Sequence, residues 1–266
     1  MKRVLVLSGL LVVGAVPAMA ADLPYKAPPP VMAPLPTWTG FYLGLNGGYS
    51  WGRSSRELNF VTATGATLIA PSGVVTTGGT ELEGGLFGGQ IGYNWQTANW
   101  VFGFESDIQW ANQRGSRAFN GLIPLAGGGA LTGAVVDQKL EWFGTFRGRG
   151  GFLVGQSALL YVTGGLAYGS LQTDIALAGL TAAGAGIAAT ASGSGTRVGW
   201  TVGTGLEWKF SPNWSAKVEY LYMDIGSTTN TAFITTPAGV TVGANVTSRV
   251  TDNIIRGGFN YQFSAY

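Results

Sequence analysis

The chain has no cysteine and no histidine among its 266 residues. Without cysteine there is no disulfide framework, no thiol redox centre, no cysteine-ligated zinc and no haem-attachment motif. Without histidine there is no Ser-His-Asp triad and no HExxH metalloprotease. Charge is scarce too: Asp, Glu, Lys and Arg make up 11% of the residues, against about 25% in an ordinary soluble domain. What fills the space is apolar and aromatic, with 9 Trp, 10 Tyr and 13 Phe in a chain that is 46% hydrophobic. That composition excludes disorder. The 44 glycines have no three-residue period, which excludes collagen.

The first residues read as an export signal. Lys2 and Arg3 form the basic start, Val4 to Val16 the apolar run, and Pro17-Ala18-Met19-Ala20 the small-residue cleavage pattern. The run falls short of the ~18–20 residues a spanning helix needs. Cleavage after Ala20 leaves 13 bases against 13 acids. Such a balance offers no basic field for a nucleic acid. Residues 21–37 hold six prolines, Pro24, Pro28, Pro29, Pro30, Pro34 and Pro36, and read as an extended periplasmic linker. The expected organisation is therefore a signal peptide over 1–20, a linker over 21–37 and a folded domain over 38–266.

From Trp38 onward the dominant period is two. Eight segments carry it. Trp100, Phe102, Phe104, Ile108 and Trp110 alternate with Gly103, Glu105, Asp107 and Gln109. Val198, Trp200, Val202, Leu206 and Trp208 alternate with Thr201, Gly203, Gly205, Glu207 and Lys209. Three connections are short, at Gln96–Asn99, Val154–Ala158 and Ser211–Trp214. Four are long: Arg53 to Leu82, Gln113 to Lys139, Thr173 to Arg197 and Ser227 to Ser248. Thr181 to Thr196 is nearly low-complexity, so these segments are expected to be mobile loops.

Period two alone leaves open which face is wet. A lipocalin also has eight strands, with its apolar face inward. Here the apolar face is too bulky for an eight-stranded lumen, and the strand charges, of both signs, fall on the other face. Trp38, Trp51, Trp95, Trp100, Trp110, Trp142, Trp208 and Trp214 lie near strand ends, as in the aromatic girdles of the bilayer interfaces. In lipid every backbone polar group needs an internal partner, and a closed barrel is the β solution. The expected fold is all-β: an eight-stranded antiparallel up-and-down transmembrane barrel with four long extracellular loops and three short periplasmic turns. Strands of ~9–11 residues suffice to cross.

The inward charges form the candidate site. Glu105 and Asp107 lie on the third segment, Glu141, Arg147 and Arg149 on the fourth, Glu207 and Lys209 on the sixth, Lys217 and Glu219 on the seventh, and Arg256 on the eighth. They are expected to make a lumenal ion-pair network that plugs the barrel; an ion path through them is the functional alternative. Gly44, Gly88, Gly92, Gly103, Gly165 and Gly203 on the same face would make room for it. Other motifs are weak. Gly203-Thr204-Gly205 lacks the third glycine of a dinucleotide site, and no Walker A lysine motif is present. No catalytic, cofactor or metal site is expected.

Four stretches carry a resemblance: Trp38-Thr39-Gly40-Phe41-Tyr42-Leu43-Gly44, Leu159 to Gly169, Trp200-Thr201-Val202-Gly203 running on to Val218-Glu219-Tyr220-Leu221-Tyr222, and Ile255 to Phe263. Together they resemble the outer membrane immunogenic proteins of alpha-proteobacteria, small barrels similar in architecture to the OmpA transmembrane domain. The resemblance implies a non-enzymatic surface antigen that supports the envelope. It also implies contacts with outer-membrane lipids and lipopolysaccharide, with the outer-membrane assembly machinery through the C-terminal strand, and with peptidoglycan. Haemin binding, reported for some members, is weakened here by the absence of histidine. A narrow porin and loop-mediated adhesion stay open as alternatives. The end departs from the family pattern: Ser264, Ala265 and Tyr266 follow Phe263, leaving two candidate terminal aromatics.

Overall fold

A computed structural model describes residues 37–62, 80–124, 129–235 and 241–263. The expected signal peptide, all but Thr37 of the expected linker, and Tyr266 lie outside the described residues. The described chain forms eight strands: β1 (Gly40–Thr62), β2 (Thr80–Thr97), β3 (Trp100–Pro124), β4 (Gly129–Val154), β5 (Ala158–Thr181), β6 (Gly186–Lys209), β7 (Trp214–Thr235) and β8 (Thr241–Gln262). Each pairs antiparallel with its sequence neighbours, and β1 pairs with β8, so the sheet closes into a barrel. Closure leaves no unpaired edge where lipid would surround it. Three tight turns join β2–β3, β4–β5 and β6–β7 at one end; Ala98 at φ 53° and Gly155 at φ 70° take the left-handed conformations the first two need.

The outward row of β3 fixes the membrane height. Trp100 and Trp110 both face outward and stand ten residues apart. At ~3.3 Å per residue and a tilt near ~45° that separation spans about 23 Å, close to the ~25 Å apolar band of such barrels. On β1, Phe41 and Trp51 mark the same two heights.

The strands are longer than crossing requires, from 18 residues in β2 to 26 in β4. This corrects the expectation of a long loop between β5 and β6. The β5–β6 connection is residues 182–185, and Gly186 to Thr196 belongs to β6. The other three expected loops also contribute strand, while residues 63–79, 125–128 and 236–240 lie outside the described residues. In β6 the reason is physical: side chains on both faces of the Gly186 to Thr196 stretch meet water, so Gly, Ala, Thr and Ser serve on either side. The alternation that marks a membrane strand disappears.

Above the girdle the barrel divides. β6 pairs with β7 only as far as Trp200 opposite Asp224, and β2 with β3 only to Glu83 opposite Arg114. Two sheets continue upward, β3–β4–β5–β6 and β7–β8–β1. A bulge between Asp224 and Ser227 marks where β7 leaves β6. There Asp224 Oδ1 accepts the Gly226 N–H at 2.9 Å, and Gly226 sits at φ 72°.

Candidate functional site

The lumen holds the charged residues in one connected cluster. Register brings opposite signs face to face: Glu105 opposite Arg147, Glu207 opposite Lys217, and Glu219 opposite Arg256. Arg147 stands at the centre with its side chain 0% exposed. Its Nη2 donates to Glu105 and, at 2.9 Å, to Asp107 Oδ2, while its Nη1 donates to Glu219 at 3.0 Å. Arg256 donates to Glu219 through Nε at 2.7 Å and to Asp107 through Nη2 at 2.9 Å. Lys217 Nζ reaches both oxygens of Glu105 at 3.0 Å.

A second knot lies nearer the turn end. Arg149 Nη2 donates to Glu207 at 2.6 Å, and its guanidinium packs 4.2 Å from the centre of the Tyr161 ring. Ser215 and Asn260 also donate to Glu207, at 2.5 and 2.7 Å. An amide chain leads away from it: Gln90 donates to Asn260 at 2.5 Å and Asn46 to Gln90 at 2.8 Å. Burying so many ions costs several kcal/mol each unless every one finds partners. Here each carboxylate meets at least one guanidinium or ammonium and further neutral donors.

Two tyrosines complete the cluster, and both were missed as site residues. Tyr42 donates to Glu105 at 2.8 Å and Tyr161 to Glu219 at 3.1 Å. Their rings lie over Gly92 and Gly205, where a Cβ would collide with them. The sequence did carry a signal: Tyr42 falls on the inward parity, opposite to that of Phe41, Tyr49 and Trp51 on the same strand, which point out.

Apolar layers lie beyond the ions on both sides. Trp38, Val101, Leu153, Leu159 and Tyr161 cluster at the turn end. Leu140, Phe143, Leu171, Leu221, Met223 and Ile254 belong to a larger cluster toward the other end. Alternation alone did not reveal these layers, because their members share the inward parity with the charges.

Four expected positions need correction. Glu141 is not lumenal: β4 bulges between Leu140 and Trp142, which turns it outward. It pairs with Lys139 at 2.7 Å, the two side chains being 48% and 38% exposed. The same bulge leaves Trp142 half-buried, packed against Tyr168. Trp38 is no girdle residue: it is 1% exposed and closes the turn end from inside, its backbone N–H bonded to Gln96 Oε1 at 2.8 Å. Lys209 is buried, but it sits 5.0 Å over the Trp38 ring and donates to Thr37 O and Gln262 Oε1, both at 2.5 Å, instead of pairing with an acid. Trp51, Trp95, Trp100, Trp110, Trp208 and Trp214 face outward and are exposed.

Among the described residues no group of three or more His, Cys, Asp or Glu side chains could hold a metal. Glu105, Asp107, Glu207 and Glu219 are buried and bonded to bases.

Comparison with known proteins places this geometry in a family. Residues 8–263 match the model of the outer membrane protein beta-barrel domain. The 31 kDa outer-membrane immunogenic protein of Brucella melitensis is 35% identical over 268 residues, covering 99% of this chain and 100% of that protein. The 25 kDa outer-membrane immunogenic protein of Brucella abortus is 26% identical and covers 99% of each. A 22 kDa outer membrane protein of Rhizobium leguminosarum is 31% identical, covering 73% of this chain and 67% of that one. With its eight strands closed around buried ions and its aromatic rows facing lipid, the chain belongs to the outer membrane protein beta-barrel family and to the group of outer-membrane immunogenic proteins within it, and is a protein of the bacterial outer membrane.

Proposed function

We propose that this protein is a non-enzymatic, non-conducting barrel that strengthens the outer membrane and carries an antigenic surface on its projecting strands. The observation that carries this reading is the lumen. A charge-paired ion cluster lies between two apolar layers and fills the lumen, so that neither solute nor substrate would gain a polar passage past it. The three tight turns would face the periplasm and the long strand extensions the cell exterior, the usual arrangement of such barrels. Those extensions are what antibodies would meet, in keeping with the names of the Brucella relatives. The outward aromatic rows would hold the barrel in outer-membrane lipid and against lipopolysaccharide. The C-terminal strand, ending near Phe263, would be the part read by the assembly machinery.

A narrow porin has the same fold and differs only in the lumen. The test is swelling of proteoliposomes in small sugars and amino acids. The proposal expects no swelling beyond protein-free vesicles. Swelling that scales with the amount of protein would replace it with the porin reading.

A further inference from the structure

One buried acid stands apart from the ion cluster. Asp252, on β8 near the end where the barrel divides, is 1% exposed and belongs to no ion pair among the described residues. Its neighbours in charge are already engaged: Arg256 with Asp107 and Glu219, and Arg249, turned outward, with Asp224 at 2.5 Å. Met223, on β7, stands directly opposite it and brings no charge.

Several of the polar atoms around Asp252 are buried oxygens without a hydrogen-bond partner among the described residues. Its Oδ2 accepts from Gln113 Nε2 at 2.6 Å, while its Oδ1 has no partner among the described residues. Gln113 Oε1 and Ser54 Oγ are buried and equally without partners. Gln113 Nε2 also donates to Ser50 Oγ. The backbone gathers these groups. Gly52 stands opposite Asp252, and Oδ1 lies 2.9 Å from where a Gly52 Cβ would be. Ser50 and Ser54 flank Gly52 on the inward face. Gly84, with no side chain, lets Gln113 reach from β3 across β2 toward Ser50 and Asp252. Ser248, diagonal to Ser54 and likewise without a partner, carries the file one step nearer the mouth.

We infer that this cage, formed by Asp252, Gln113, Ser54 and Ser50, binds one small monovalent cation entering from the mouth opposite the tight turns. A lone buried carboxylate is costly, and buried polar atoms take partners. Water could satisfy the hydrogen bonds but would leave the charge uncompensated. A single carboxylate among neutral oxygens supplies one negative charge and hard ligands, which suits an alkali cation; a divalent ion would leave an excess positive charge in the interior.

The test follows the unfolding midpoint of the full refolded chain in neutral detergent against sodium chloride, with N-methylglucamine chloride holding ionic strength constant. A ligand bound only by the folded state raises stability with the logarithm of its concentration above Kd. The midpoint of the unaltered protein is expected to climb with sodium, and that of Asp252→Asn to stay flat. A flat curve for the unaltered protein overturns the site, as does an unchanged slope in D252N. A midpoint indifferent to sodium that falls as pH rises identifies a proton as the occupant and also overturns it. If D252N does not refold, Gln113→Ala serves: removing one neutral ligand should demand about tenfold more sodium for the same rise. An unchanged sodium curve in Q113A counts against the cage.

Discussion

Arg147 and Arg256 converge on a single oxygen: the Nη2 atoms of both lie 2.9 Å from Asp107 Oδ2. The two arginines come from β4 and β8, and the acid from β3. Like charges are held this close because Asp107, Glu105 and Glu219 stand between them. Removing the acid should therefore cost more than its own bonds. Asp107→Asn is expected to destabilise the barrel by roughly 3–5 kcal/mol, since two buried guanidinium groups lose compensation. Urea unfolding in detergent micelles measures it. A loss below 1 kcal/mol would show that the cluster is wetter than described.

The outer pair provides the contrast. Lys139 and Glu141 are 2.7 Å apart but sit in the open, above the girdle. Exposed pairs contribute about 0–1 kcal/mol. Glu141→Ala should leave the unfolding midpoint almost unchanged, while Glu219→Ala, in the buried cluster, should lower it sharply. Equal effects would contradict the bulge that separates the two acids.

Trp38 is predicted to differ from the rest of the nine tryptophans. Its ring lies inside the barrel, under Lys209 and away from lipid. In bilayers of brominated lipid the outward tryptophans should be quenched and Trp38 should keep emitting. Trp38→Phe is expected to remove most of the residual emission; a residual that survives the substitution would place Trp38 outside.

The two glycines beneath the tyrosines admit little else. Gly92→Ala should push the Tyr42 ring away from Glu105, and Gly205→Ala should do the same to Tyr161 and Glu219. Overpacking of this kind costs typically 1–3 kcal/mol. Gly155→Ala, at a turn with no neighbouring atoms, meets only the strain of its φ of 70°. Thermal melts of the three variants should rank Gly155→Ala as the mildest.

Much of this was legible in the sequence, for a stated reason. Between Trp100 and Trp110 one face meets lipid and the other a polar lumen, so alternation marks both the strand and its sidedness. The same logic located Glu105, Arg147, Glu219 and Arg256 on one inward surface. It failed where its premise failed. A bulge at Glu141 reversed the parity, and Trp38 lies before the first strand, where alternation says nothing about direction. The strand extensions escaped because Gly186 to Thr196 meets water on both sides. Asp252 escaped because its meaning lies in what is missing around it, a base, and that is visible only in three dimensions.

The most direct test of the closed lumen is single-channel recording from the refolded protein in planar bilayers. The account predicts a silent membrane for the unaltered chain at moderate voltage, whatever the salt. Steady, voltage-independent openings that scale with the amount of protein inserted would contradict it.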